Sequence, residues 1–351
     1  MLTKTRFYFS LLYSRINIYQ GSYETVSDFK PHLTKQRKNL KIFFYVPVNN
    51  SGARVIVYDI YNDLIKTMKS LGLDWEVIVS DKLPATKIDY LICFKNVPEK
   101  TFPGNPKLIM LICDQAEVFW DDLSKFDYIV ATSSAKFAKL LSLKNKNIFY
   151  ISESETVKSL AYGLENLKNN PTSRPLNLLW HGGSYSIDAL IKLKPVLESF
   201  ASRNDVHLYL VSGSNSIYTY SWGKLKITHM PWSIENLLYC AQKSRLGLIP
   251  ARSSIRTSYL KPASRVRCLF SLGVPTIGDS SVPDVKEFMS HFNGPIANKK
   301  DEWLYFLESL WDNLELDKLA NNGWVTVNTK YSSLNTANQW INFLLKLEIN
   351  K

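Results

Sequence analysis

One stretch of basic residues, 250–279, contains no acidic residue between its two ends. It carries five cations: Arg252, Arg256, Lys261, Arg265 and Arg267. Pro262 suits the first position of a helix and Gly273 the position after its end, which predicts a helix beginning just after Lys261. Lys261 and Arg265 would then lie at the positive end of the helix dipole, where cations are unfavourable. A diphosphate would offset this, because Arg offers a forked set of donors and Lys a point charge. The alternative is that these side chains face solvent or pair with acidic residues elsewhere.

A pair of glycines separates an apolar run from a helical pattern in LLWHGGSYSIDAL, residues 178–190. Gly182, Gly183 and Ser184 follow a predicted strand directly, and small residues there would let backbone N–H groups approach a phosphate or a sugar. A plain tight turn is the alternative interpretation. His181 adjoins this loop and could bond either a sugar hydroxyl or a backbone carbonyl. The loop is therefore a candidate part of a site for a phosphate or a sugar.

Other candidates lie at the ends of further predicted strands, where ligands bind in open α/β sheets. Gly52 and Arg54 belong to the loop after the first strand, and Lys95 and Asp114 follow two later strands. Asp114 could act as a general base, although a helix cap or a surface acid is an equal alternative. Trp232 ends a predicted strand in the second half. Its ring could lie beside the base of a nucleotide, although burial is the commoner role of Trp.

The length and composition of the chain limit the classes of protein to which it can belong. The chain has 351 residues, 45% of them apolar, which is long for a single core and favours two domains. No segment approaches the ~20 uninterrupted apolar residues of a membrane-spanning helix, and Arg6, Ser10 and Arg15 interrupt the apolar amino-terminal segment. We expect a soluble protein without a signal peptide.

The net charge indicates which partners the protein could bind, and the cysteines indicate its cellular compartment. The formal net charge of +12 would attract nucleic acid, anionic lipid headgroups or phosphorylated substrates. The cysteines lie singly in apolar runs, without a CxxC pair or a histidine at ligand spacing; they are Cys93, Cys113, Cys240 and Cys268. This pattern favours neither a disulfide framework nor a zinc site, and it predicts the reducing cytoplasm.

Strand patterns alternate with helical patterns twice along the chain, which predicts parallel sheets built from βαβ units. The fold class expected is α/β with two doubly wound, Rossmann-like domains and a helical tail. The predicted divisions are a basic and aromatic segment over 1–40, a first domain over 41–155, a linker over 156–175, a second domain over 176–325, and a C-terminal helix over 326–351.

The order of these segments resembles that of the GT-B glycosyltransferases, particularly bacterial members related to the large retaining group called family 4. In the second half, LLWHGGSYSIDALIKLKPVLE, LYLVSGS, HMPWSIENLLYCAQKSRLGLIP and YLKPASRVRCLFSLGVPTIGDSSVPDV follow the family's order. In the first half, NNSGARVIVYDIYNDLIKTMKSLG is similar to the family's first loop and helix. The likeness extends over the whole chain.

This resemblance implies a GT-B fold, in which the two domains face each other across a cleft and the last helix crosses back to the first domain. It implies donor binding by the second domain, with Gly182 and Gly183 near the nucleotide sugar and Lys261 and Arg265 near its diphosphate. The acceptor would lie against the first domain. Such enzymes need neither a metal nor another cofactor, because cationic side chains and a helix end stabilise the leaving group.

One feature of the family's retaining group is missing. That group carries two glutamates, separated by seven residues, around the helix that follows Lys261, whereas this chain has no Glu between positions 236 and 286. Recognition of the ribose and sugar hydroxyls must therefore differ, with Ser264, Asp284 or Glu287 as candidates. Neither a retaining nor an inverting outcome follows from the sequence.

The expected function is transfer of a sugar from a nucleotide sugar to a glycan or lipid-linked glycan, in the assembly of a bacterial surface polysaccharide such as lipopolysaccharide, O-antigen or capsule. The basic charge suggests peripheral attachment to the anionic inner face of the cytoplasmic membrane. Two alternatives are a nucleic-acid-binding module and a GT-B-shaped nucleotide-sugar epimerase. The first lacks an exposed basic stripe or a known motif, and the second would need more carboxylates and histidines at strand ends. A Rossmann dehydrogenase is disfavoured because no strand is followed by GxGxxG.

Overall fold

The structure is a computed structural model, and two α/β units make up the described part of the chain. The described residues are 39–46, 57–94, 102, 104–112, 123, 125–134, 147–169, 174–175, 177–251, 258–311 and 315–349. Among these residues, no helix is both long enough and apolar enough to cross a membrane.

The first unit is built on a six-stranded, all-parallel sheet in the order β2-β1-β3-β4-β5-β6. Its strands are β1 Lys41–Tyr45, β2 Glu76–Ser80, β3 Tyr90–Phe94, β4 Lys107–Ile112, β5 Tyr128–Ala131 and β6 Asn147–Tyr150. The central strand β3, YLICF, is buried along its whole length, as expected for a parallel strand covered on both faces. Helix α1, Asp59–Ser70, follows β1.

The second unit is built on a seven-stranded sheet in the order β13-β12-β11-β7-β8-β10-β9. Its strands are β7 Asn177–His181, β8 His207–Ser212, β9 Tyr218–Trp222, β10 Leu225–Pro231, β11 Leu246–Ile249, β12 Thr276–Asp279 and β13 Ile296–Ala297. All pairs are parallel except β9 with β10. The chain starts in the middle at β7, builds outward on one side, and returns to place β11 on the other side of β7. The carboxyl ends of β7 and β11 therefore form the topological switch point, where ligands bind in such sheets.

The remaining helices surround the second sheet and lead back to the first. They are α2 Val157–Lys168, α3 Ile187–Ile191, α4 Lys194–Arg203, α5 Ile234–Lys243, α6 Ser264–Ser271, α7 Pro283–Ser290, α8 Lys300–Trp311, α9 Glu315–Lys330 and α10 Ser333–Ile349. The predicted linker contains α2, which packs against α6 and α9. Helix α10 packs against α1, and the ring of Trp340 lies 5.3 Å from that of Phe44 in the first core.

The sequence pattern predicts the end of α6 correctly but places its start two residues too early. Helix α6 begins at Ser264 and not at Pro262, because Ala263, with ψ at 15°, is not yet helical. Gly273 follows the end of α6 with a φ of +70°, the left-handed conformation that glycine adopts most easily.

Strand β9 was not predicted. Its residues pair with β10 across a tight turn at Gly223, whose φ is +53°.

A single guanidinium joins the C-terminal ends of three helices. Arg174 is buried, and it donates hydrogen bonds to five backbone carbonyls, those of Asn166, Asn169, Ala241, Ser244 and Gly273. These carbonyls lie at or just beyond the ends of α2, α5 and α6, where the last carbonyls of a helix lack intrahelical donors. The partial negative charge of each helix end favours the cation. Burial lowers the pKa of Arg174 to about 10, so the side chain stays charged at neutral pH.

We expect Arg174→Met to lower the free energy of unfolding by about 3 kcal/mol or more, because it leaves several buried carbonyls without a donor. Urea unfolding measures this loss. The matched control is Arg203→Met, which removes an exposed salt bridge to Glu308 and should cost less than about 1 kcal/mol. Equal losses in the two variants would contradict the role of Arg174.

Candidate functional site

A cavity of about 120 Å³ lies at the switch point of the second sheet. Segments from five parts of the second unit line it: the loop after β7, the loop after β11, the start of α6, the end of β12 and the start of α7. The lining residues that matter below are Gly183, Tyr185, Lys261, Ser264, Arg265 and Asp279. Two of the sequence-predicted regions, the glycine loop and the basic stretch, therefore meet at one cavity.

The amino-terminal end of α6 faces this cavity without a capping side chain. Its N-cap residue is Ala263, and the first turn contains no acidic residue. Ser264, Arg265 and Val266 supply the first amides of the helix and also line the cavity. Such amides have no intrahelical acceptor, and they carry the positive end of the helix dipole. This end of α6 is suited to an anion.

Arg265, whose side chain is half-buried, adds a cation at the same place. Its Nη1 atom is buried and has no hydrogen-bond partner among the described residues. Burial lowers the pKa of Arg265, and the nearby Tyr185 and Asp279 partly oppose this shift. Leaving a charged nitrogen buried without an acceptor is costly, which points to an anionic ligand as its partner. Gly182 leaves room for this group, since a Cβ atom there would lie 3.0 Å from Nη1.

Lys261 lies just before α6, on the rim of the cavity. Its Nζ atom is 5.3 Å from the centre of the Tyr185 ring, within the range of a cation–π contact. Arg267 faces away from the cavity, as its spacing of two residues from Arg265 leads one to expect. Among the described residues, the two cations that the sequence assigned to the diphosphate are thus the two that line the cavity.

His181 ties the glycine loop to α6. Its Nε2 atom lies 3.0 Å from the carbonyl oxygen of Arg265, and since a carbonyl only accepts, the ring donates from Nε2. Burial, with a smaller contribution from the charge of Arg265, lowers the pKa of His181 to about 4. The ring is therefore neutral at neutral pH. Of the two partners considered for His181, the structure places a backbone carbonyl on Nε2.

Two further predicted residues, Ser184 and Trp232, are exposed, and several others lie outside the described residues. Ser184 is exposed beside Gly213. Trp232, 47% exposed, follows β10 at the same edge of the sheet, and its N–H group donates to the carbonyl of Ser212. Five predicted residues lie outside the described residues: Gly52, Arg54, Lys95, Asp114 and Arg252.

Two predicted acidic residues on α7 do not line the cavity. The buried carboxylate of Asp284 accepts a hydrogen bond from Ser134 Oγ of the first unit at 2.7 Å. Glu287 lies near Lys330 and Tyr331, and its negative charge raises the pKa of Tyr331, to which burial contributes most. Both side chains thus face the junction between the two units. Their proposed contact with ribose or sugar hydroxyls stays a prediction.

The sequence analysis did not single out Asp279, which lines the cavity at the end of β12. Its carboxylate accepts hydrogen bonds from the backbone N–H groups of Ala251 and Ser281 and from Ser281 Oγ, at 2.6–2.8 Å. These bonds join Ala251, just after β11, to the segment after β12. The available signal was its position directly after a buried strand, the same criterion that selected Asp114. Within the described residues, no group of three His, Cys, Asp or Glu side chains is arranged to hold a metal ion.

Helix α6 also contacts the first unit through its opposite face. The guanidinium of Arg267 is buried and lies 3.9 Å from the carboxylate of Glu153, just after β6. The ring of Tyr331 packs 4.6 Å from the same guanidinium, and Thr132 donates a hydrogen bond to Glu153. Ser133 Oγ donates to the carbonyl of Leu260, in the segment that leads to α6. The helix whose amino-terminal end faces the cavity therefore packs between the two units.

Comparison with solved structures gives the fold a name. The Anabaena protein HepE in complex with UDP-glucose matches with a TM-score of 0.59 and 13% identity, covering 88% of this chain and 100% of HepE. A glycosyltransferase from Rickettsia africae matches at 0.60 and 13%, covering 88% and 98%. Sucrose-phosphate synthase from Thermosynechococcus elongatus matches at 0.58 and 12%, covering 90% and 100%. The chain has the GT-B fold. No family model matches its sequence, and no curated protein matches it. At such low identity the GT-B neighbours establish the architecture.

We expect the GT-B chain to lose stability in acid partly through His181. Its pKa is about 4 when folded and 6.5 as a reference, so protonation favours the unfolded chain as the pH falls from about 6.5 towards 4. Between pH 7.5 and pH 5 this contribution amounts to about 2 kcal/mol. Urea unfolding at both pH values measures it. Between them the free energy of unfolding should change by about 2 kcal/mol less in His181→Gln than in the wild type. An unchanged dependence would mean that His181 is not a buried neutral ring.

We expect Arg265→Met to raise the free energy of unfolding of the protein by about 1–3 kcal/mol, because it removes a guanidinium nitrogen that is buried without an acceptor among the described residues. Urea unfolding at neutral pH measures this gain. Arg245→Met is the contrasting control, since Arg245 Nη2 donates to the carbonyl of Arg174 at 2.8 Å, and its loss should destabilise the protein. A loss of stability in Arg265→Met would show that the guanidinium has a structural partner.

Proposed function

We propose that this chain is a glycosyltransferase that takes a sugar from a nucleotide-sugar donor and transfers it to a glycan or lipid-linked glycan. The observation that carries the proposal is the buried Nη1 of Arg265, without a hydrogen-bond partner among the described residues, at the uncapped end of α6. This group lies at the switch point of the second sheet in a GT-B fold. Substrates with a diphosphate match a site built from a guanidinium, an ammonium and helix amides.

The structural neighbours support the choice of donor. HepE was crystallised with UDP, with UDP-glucose, and with UDP and glucose. Two other neighbours are described as a glycosyltransferase and as sucrose-phosphate synthase. We therefore propose a nucleoside diphosphate sugar as the donor, bound by the second unit. In this proposal Trp232 flanks the base, and Ser264 and the Gly182–Gly183 loop contact the ribose or the sugar.

The proposed chemistry is stabilisation of the nucleoside diphosphate as it leaves the sugar. Negative charge develops on the diphosphate oxygen as its bond to the anomeric carbon of the donor sugar breaks. Arg265, Lys261 and the first amides of α6 are positioned before the reaction to receive that charge, which is how fixed donors lower a barrier. We propose that these groups replace a metal ion, so that neither a metal nor another cofactor is required. Asp114 and Arg54 stay candidates for activating the acceptor.

The proposed setting is bacterial surface polysaccharide assembly, with lipopolysaccharide, O-antigen or capsule as the product. The support is the net charge of +12, which favours an anionic membrane surface and an anionic lipid-linked acceptor. The protein would then act from the cytoplasm, attached peripherally to the inner face of the cytoplasmic membrane. The donor and acceptor are its proposed partners, and nucleic acid is not.

The test is calorimetric titration of UDP, GDP, ADP and CMP into the wild type, Lys261→Gln and Arg265→Met at one salt concentration. We expect one nucleotide to bind, and each substitution to weaken it about tenfold or more, because each removes a charge-assisted contact to phosphate. Turnover of the matching nucleotide sugar should persist in EDTA. The matched control is Lys224→Gln, an exposed lysine at the opposite edge of the sheet, which should leave binding unchanged.

Binding of no nucleotide, together with salt-dependent binding of random DNA, would replace this proposal with a nucleic-acid-binding function. Nucleotide binding that is equal in all variants would place the donor elsewhere on the chain. Interconversion of free nucleotide sugars without transfer to an acceptor would favour an epimerase.

A further inference from the structure

Tyr185 occupies an unusual place for an exposed aromatic residue. Its side chain is 63% exposed, yet it lines the cavity at the end of α6. The ring lies directly over the backbone of Gly183, where an added Cβ atom would come within 2.5 Å of Tyr185 Cε1. Any side chain at position 183 would push the ring away. The glycine therefore lets the ring lie down over the loop.

One cation of the cavity lies over this ring, since Lys261 Nζ is 5.3 Å from its centre. Arg265, whose Nη1 atom is buried without a hydrogen-bond partner among the described residues, lines the same cavity. The negative face of an aromatic ring is a weak partner for a cation compared with a phosphate. Tyr185 thus supplies Lys261 with part of what an anion would supply, at the wall of the cavity that an anion would enter.

We propose that Tyr185 gates the anion site: its ring covers Lys261 in the ligand-free protein and must move aside when a diphosphate binds. This inference rests on the anion site of the proposed function and adds a residue that controls access to it. The ring shields Lys261 while the site is empty, and it competes with every anionic ligand. Because the side chain is exposed and belongs to a short 3-10 turn, Ser184–Ser186, it can leave without disrupting a core.

The test is calorimetric titration of inorganic pyrophosphate into the wild type, Tyr185→Ala, Tyr185→Phe and Tyr305→Ala. Tyr305 is also 63% exposed but lies on α8, away from the cavity, so it is the matched control. We expect Tyr185→Ala to bind pyrophosphate about threefold to tenfold more tightly, because the competing cation–π contact is gone. Tyr185→Phe keeps the ring and should bind like the wild type, as should Tyr305→Ala.

A second measurement does not depend on any ligand. Acetylation of Lys261 by a water-soluble ester, followed by mass spectrometry, should be faster in Tyr185→Ala than in the wild type and unchanged in Tyr305→Ala. Thermal stability without ligand should be equal in all four proteins, which separates gating from a structural role.

The outcomes distinguish the gate from the donor site. If a nucleotide binds through Arg265 but pyrophosphate binds Tyr185→Ala no better than the wild type, the gate is wrong and the donor site stands. If Tyr185→Ala gains pyrophosphate affinity while no nucleotide binds any variant, the gate stands and the proposed function fails. If neither pyrophosphate nor any nucleotide binds any of the proteins tested, both proposals are overturned.

Discussion

The position of α6 depends on the convergence of three helix ends on the Arg174 guanidinium. Five backbone carbonyls from α2, α5 and α6 would otherwise compete for few donors in a buried place. Close packing fixes the same helix along its length. A Cβ atom on Gly163 of α2 would lie 1.9 Å from the carbonyl of Ser271, and one on Gly323 of α9 would lie 2.0 Å from the Phe270 ring. Helix α6 therefore has little freedom to shift, and its amino-terminal end stays at the switch point.

The charges along α6 follow from this arrangement. The C-terminal end is neutralised by Arg174, as the helix dipole favours. At the other end the dipole and Arg265 have the same sign, and His181 adds no charge because burial lowers its pKa to about 4. No side chain caps that end, and its first turn holds no acid. Among the described residues, the positive end of α6 is therefore left without a cap, which costs stability.

Much of the architecture was predictable because buried parallel strands and amphipathic helices leave a periodic signal in the sequence. The two cations at the cavity, Lys261 and Arg265, were also predictable, since a run of bases without acids near a helix start is itself a physical conflict. Strand β9 escaped detection because it is a short edge strand with exposed residues. The roles of Arg174 and Tyr185 were not predictable, because their partners are distant in sequence and are brought near only by packing.

The spacing of Arg265 and Arg267 links the anion site to the junction of the two units. Residues two apart on a helix point in nearly opposite directions, so one guanidinium faces the cavity while the other faces Glu153 of the first unit. Asp284 repeats the pattern from α7, where it accepts from Ser134 across the same junction. The GT-B architecture in this chain therefore places the end that faces the cavity and the face that contacts the first unit on one eight-residue helix.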